Sequence, residues 1–175
     1  MNNRQKRLKY LAECAIIAAL YAAATYLSAV IGLAYGPIQF RISEALCILS
    51  VFTPAAIPGL TIGCVIGNLT SPMGIWDIVF GAAATFCAAL CGRLLRNIRI
   101  KDIPLLSAIM PVIFNAVIVG AEITFLLPSA SGETGITAFA IAALEVGLGE
   151  LVVCVLLGLP LYKALKKTKL FSNKV

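Results

Sequence analysis

LAECAIIAALYAAATYLSAVIGL, residues 11 to 33, decides the fold. The run is longer than the roughly 7 to 15 residue core of a secretory signal. As a helix rising about 1.5 Å per residue it is long enough to cross a hydrocarbon layer about 30 Å thick. Arg4, Lys6, Arg7 and Lys9 stand before it, so it reads as a retained first helix with a cationic start. The rest of the chain has the same character. Of 175 residues 61% are apolar and 14 more are glycine, a share that a soluble domain of this size cannot bury. Six spans of about 20 residues would use roughly 120 positions and leave only loops and ends. The expected fold is therefore all-α and polytopic, a single membrane domain over residues 1–175.

The net charge of +6 arises from 14 basic and 8 acidic residues. Most of the basic residues fall into three clusters: the N-terminal arm, then Arg93, Arg96, Arg99 and Lys101, then Lys163, Lys166, Lys167, Lys169 and Lys174. Such clusters orient a membrane protein and argue against nucleic-acid binding. If all three lie in the cytoplasm, an even number of helices separates each pair. Gly36-Pro37, Pro54, Pro58 and Ser71-Pro72 punctuate the first half often enough for four helices. The predicted spans are 11–33, 44–56, 57–69, 76–95, 105–127 and 136–162, the second and third short. The polar stretch 128–135 joins the last two outside, and both termini are cytoplasmic.

Small residues recur at helix-packing spacing. Ala15, Ala19 and Ala23 form an unobstructed stripe on the first helix, with Ala18 and Ala22 on an adjoining face. Gly59, Gly63 and Gly67 repeat the pattern on the third helix, as do Ala84, Ala88 and Gly92 on the fourth. Packing within the chain accounts for the later two stripes. The alanines suit either that or a separate subunit.

The acids carry the functional reading. A carboxylate at mid-bilayer costs on the order of 2.5 to 3.5 kcal/mol, so each needs a partner or a task. Asp77 opens the fourth span, Glu122 lies near the outer end of the fifth, and Glu145 stands in the outer half of the sixth. Together they can surround one outward-opening cavity. Asn115, two turns before Glu122, extends the polar stripe inward. Glu150, about 140° around from Glu145, is divided evenly between helix contact and ligand contact. In GPIQFRISE (36–44), Gln39, Arg41 and Ser43 alternate with apolar residues along an extended loop. Ser43 can alternatively cap the second helix, with Glu44 in its first turn. Arg41 is then an ion-pair partner of Glu44 or Asp77, or part of the pocket. Asn68 and SPMGIWD (71–77) form the next outer loop, where Trp76 is either an interfacial anchor or a lid over a flat ligand.

Several classes are disfavoured. There is no histidine, the six cysteines lie singly in apolar runs, and no metal or catalytic set is expected. No GxxxxGK[ST] stretch is present to hold ATP, and two repeated halves with broken helices are not evident. A small binding protein that borrows energy from partners fits better than an enzyme.

GPIQFRISEAL (36–46), TPAAIPGLTIGCVIGNL (53–69) and Trp76-Asp77, with the six spans and the alanine stripe, resemble the QueT family of queuosine-precursor transporters. This family is a branch of the substrate-binding S-components of energy-coupling factor (ECF) importers. The resemblance implies a bacterial plasma-membrane protein that takes 7-aminomethyl-7-deazaguanine or a close relative from outside. It also implies docking through Ala15, Ala19 and Ala23 onto a membrane coupling subunit. Two cytoplasmic ATPases would use ATP and Mg, with no cofactor in this chain. A carboxylate can accept the adjacent N–H donors of a guanine edge while a second acid meets the ammonium arm. Glu122 or Glu145 suits the first role and Asp77 or Glu44 the second. Arg41, Asn68 or Asn115 can donate to the carbonyl, and Trp76, Phe40 or Phe125 can cover the ring, with Gln39 also in the pocket. Riboflavin or thiamine carriers share the architecture. A proton-coupled secondary transporter and a ligand-free scaffold subunit are the alternatives.

Overall fold

A computed structural model describes residues 2–35, 38–126 and 135–168. Gly36-Pro37, residues 128–134 of the expected outer loop, and Lys169 and Lys174 lie outside them. The described chain is helical: α1 (Asn3–Val30), a 3₁₀ helix (Ile42–Val51), α2 (Ala56–Gly67), a 3₁₀ turn (Asn68–Thr70), α3 (Ile75–Leu94), α4 (Leu105–Phe125) and α5 (Ile136–Val153). A π turn (Cys154–Gly158) continues α5 into α6 (Leu159–Lys167). Four stretches are long and apolar enough to cross a membrane: Asn3–Val30, Ile75–Leu94, Leu105–Phe125 and Ile136–Lys167. The segments Ile42–Val51 and Ala56–Thr70 are apolar but shorter.

The expected boundaries differ from these in two instructive ways. α1 begins at Asn3 instead of residue 11, because Arg4 to Lys9 are good helix formers even though they are too polar for the bilayer. It stops at Val30, and Gly32 follows in the left-handed region at φ 76°. The second expected span, 44–56, is instead a ten-residue 3₁₀ helix. It is buried on nearly every side, and α1, α2, α3, α4 and the C-terminal helix pack around it. A 3₁₀ winding is thinner than an α-helix and rises about 2.0 Å per residue, so these residues form a slim rod about 20 Å long at the bundle centre.

Glycine makes the surrounding helices fit. A Cβ at Gly63 would stand 2.7 Å from the Ala18 carbonyl oxygen and from Tyr21 Cβ, and one at Gly67 would meet Thr25 Cβ at 2.8 Å. The glycine stripe of α2 therefore seats the inner face of α1, where Cys14, Ile17, Ala18, Tyr21, Ala22 and Thr25 are buried. Ala84, Ala88 and Gly92 are buried in the same manner on α3. Ala15, Ala19 and Ala23 face outward and are exposed. Neighbours pack in chain order from α1 to α5. Between α1 and the C-terminal helix an apolar groove of about 370 Å³ remains, with Leu20 and Ala24 on one wall, Leu157 and Leu161 on the other, and Ala45 at its base.

The basic clusters gather at one end. Arg93 Nη1 donates to the carbonyls of Val51 (2.9 Å) and Ser50 (3.3 Å), closing the far end of the rod. Lys166 lies 3.7 Å from Asp102 in the turn between α3 and α4. Lys6 and Lys9 share a cavity with Arg93. Described members of all three clusters, Lys6, Lys9, Arg93 and Lys166, thus share one end of the bundle.

Candidate functional site

At the opposite end of the rod, the turn after α1 delivers Arg41 into the interior, where it is 2% exposed. Residues 38–41 cross α5 closely: a Cβ on Gly149 would fall on the Gln39 carbonyl. Arg41 Nη2 donates to Asn68 Oδ1, and Nη1 pairs with Asp77 Oδ1 at 3.8 Å. Asn68 in turn donates from Nδ2 to the Asp77 carbonyl (2.8 Å), which joins the end of α2 to the start of α3. Gly81 leaves room for that amide, since a Cβ there would stand 2.6 Å from Asn68 Nδ2. The arginine among apolar residues is therefore the partner of Asp77.

Ser43 does not cap the helix. Arg41 is the residue before the first turn, no side-chain cap bond forms, and the Ser43 hydroxyl accepts from Thr25 at 2.9 Å. Glu44 is bonded more heavily than a first-turn residue needs. The Tyr21 hydroxyl donates to its Oε1, and the Cys47 thiol donates to its Oε2 at 3.1 Å. The Tyr21 hydroxyl also lies 3.4 Å from Thr85 Oγ1. Tyr21, Thr25 and Thr85 were not expected at the site, because a hydroxyl within an apolar helix gives no sign of its partner. Thr25 can satisfy itself on the Tyr21 carbonyl (3.0 Å).

A second polar row comes from α4 and α5. Asn115 and Glu122 share the buried face of α4, and Glu150 is buried on α5. Glu122 is close enough to Asp77 and Arg41 for both charges to act on it. Glu150 lies beside Asn115 and within the fields of Glu44 and Arg41. Among the described residues, both Glu122 oxygens, Glu150 Oε2, Asn115 Nδ2 and Arg41 Nε lack a hydrogen-bond partner. Arg41 is the one buried cation among these residues, against the four buried acids Glu44, Asp77, Glu122 and Glu150. The cluster thus combines more acids than cations with unused donors, a combination suited to a ligand that is cationic and hydrogen-bonding.

Two expected members stand apart. Glu145 is half-buried on α5 and makes no hydrogen bond to a described residue. Trp76 is 45% exposed and packs on Phe80 (centroids 6.3 Å apart), on the outer surface of α3. Phe125 is exposed as well, stacked on Phe139. Tyr35, in the turn after α1, lies within the fields of Arg41 and Asp77. Partial burial pushes its phenol above the ordinary value of 10.0, while the Arg41 charge and Thr70 pull it back.

The described chain is thus a bundle with four helices long and apolar enough to cross a membrane and a charged, incompletely bonded cluster sunk into one end. The chain belongs to the QueT transporter family, whose match covers residues 11–167. A curated relative, the queuosine precursor transporter QueT of Lactococcus lactis subsp. cremoris (strain MG1363), is 40% identical over 88 residues. The alignment covers 50% of this chain and 51% of that relative, so the chain spans about half the length of the protein it matches. No solved structure matches the chain.

Proposed function

We propose that this chain is the substrate-binding S-component of an ECF importer and that it captures 7-aminomethyl-7-deazaguanine or a close relative. In this reading six segments cross the membrane, both termini are cytoplasmic, and the Arg41 end faces outward. One observation carries it: Glu122 is 1% exposed yet has both carboxylate oxygens without a partner among the described residues, within the fields of Asp77 and Arg41. Two free oxygens on one carboxylate suit the paired N1–H and 2-amino donors of a guanine edge. Glu44 is already bonded through both oxygens, whereas Asp77 meets Arg41 through Oδ1 alone, so Asp77 is the acid for the ammonium arm. Arg41 Nε and Asn115 Nδ2, both unpartnered, supply donors for the carbonyl and ring. Tyr35 in place of Trp76 offers an aromatic face. Glu145 stands at the margin of the site.

The chain has no phosphate-binding loop, so energy comes from a coupling subunit and two ATPases. The exposed stripe Ala15, Ala19, Ala23 beside the groove at Leu20 and Ala24 is the docking face. A thermal-shift screen of the detergent-solubilised chain tests the ligand. The aminomethyl deazaguanine should raise the melting temperature while riboflavin and thiamine leave it unchanged; stabilisation by either vitamin alone rejects the assignment. Ala19→Leu should keep ligand affinity and abolish assembly with the partner subunits in a pull-down. The unpartnered Glu122 and Glu150 also suit a carrier that moves protons with its ligand. Uptake by the chain alone in liposomes, following a proton gradient, selects that reading over energy coupling.

A further inference from the structure

The basic end holds a cavity of about 480 Å³ that the transport reading does not use. Lys6, Lys9 and Arg93 line it together with Tyr10, Phe52 and Pro54. Arg93 is fixed, because its Nη1 is held by the Ser50 and Val51 carbonyls. Its charge is thus positioned before anything binds. Glu13 also lines the cavity and accepts from Thr53 at 2.7 Å, so three cations face one acid. The walls are aromatic and apolar, and further along the same side of α1 Ile16 and Leu20 are exposed at 60% and 52%.

A cationic rim, an apolar wall and an apolar exit along the same helix describe an amphiphile with an anionic head. We propose that this cavity binds the phosphate headgroup of an anionic phospholipid, with its acyl chains lying along α1 past Ile16 and Leu20. A soluble phosphate ester would satisfy the three cations but leave Ile16 and Leu20 uncovered. A basic pocket between helices at a membrane face is a recurrent site for acidic lipid headgroups. The cavity lies at the opposite end of the rod from Arg41, so the proposal stands apart from deazaguanine recognition.

The test uses the full chain in neutral detergent, titrated with phosphatidylglycerol, phosphatidylcholine or glycerol 3-phosphate, and reads melting temperature and native mass spectra. Phosphatidylglycerol should raise the melting temperature and remain bound, and phosphatidylcholine should do neither. Lys6→Gln and Lys9→Gln change exposed side chains, and each should weaken phosphatidylglycerol binding about fivefold. Binding should also weaken as salt rises. Equal stabilisation by the two lipids overturns the proposal, as does unchanged phosphatidylglycerol affinity in the double variant. Glycerol 3-phosphate that competes as well as the lipid overturns the assignment to a phospholipid.

Discussion

Glu44 and Asp77 on the one hand, and Glu122 and Glu150 on the other, are equally dry and very differently bonded. The first pair is tied down: Glu44 by Tyr21 and Cys47, Asp77 by Arg41 and, through its backbone, by Asn68. The second pair has three carboxylate oxygens without partners among the described residues. Burial alone therefore does not reveal what an acid is for. A bonded acid joins helices, and here it joins the rod and the turn before it to α1 and α3. An unbonded one carries a desolvation cost with no local return, which is reasonable only if a ligand or a proton completes it.

The sharpest way to break this contrast is Arg41→Leu. Removing one partner of a buried pair strands the other, so the fold should lose about 3 to 5 kcal/mol, read as a lower denaturation midpoint. An unchanged midpoint would mean that Asp77 does not depend on Arg41. Glu122→Gln should do the reverse, leaving thermal stability intact while weakening deazaguanine binding by about 1.5 to 3 kcal/mol. Calorimetric affinity equal to wild type would remove Glu122 from the site. Glu145→Gln should cost less than Glu122→Gln, since Glu145 is only half-buried; a larger loss would move the guanine edge to α5. Trp76→Leu should be the mildest change, within about 0.5 kcal/mol on both stability and affinity, as expected of an exposed position. A tenfold loss of affinity would restore Trp76 as a ring cover.

That the apolar stretches are helical was legible in the sequence, because apolar length and Gly/Pro punctuation record where a chain can cross or turn within a bilayer. Arg41, Asp77 and Asn68 were legible for the same reason: polar groups among apolar neighbours must meet something. The α1 partners of Glu44 and Ser43 were not. Tyr21 and Thr25 lie within the opening apolar run and differ from its other residues only once α2 and the rod press against them. The contact between Gly149 and Gln39 was equally invisible, since it joins residues far apart in the chain. Winding was the other gap. Composition marks Ile42–Val51 as buried, but it carries no signal of whether ten buried residues coil as α or as 3₁₀.

That winding sets a length. Arg93 holds the rod at one end and Arg41 leaves it at the other. Wound as α-helix, the same ten residues would be about 5 Å shorter. With the far end fixed, the guanidinium would then be drawn back from Asn68 and Asp77 by more than the length of a hydrogen bond. The meeting of charge and countercharge in this protein is thus a matter of pitch: the backbone's rise per residue acts as the gauge that places a cation opposite its acids.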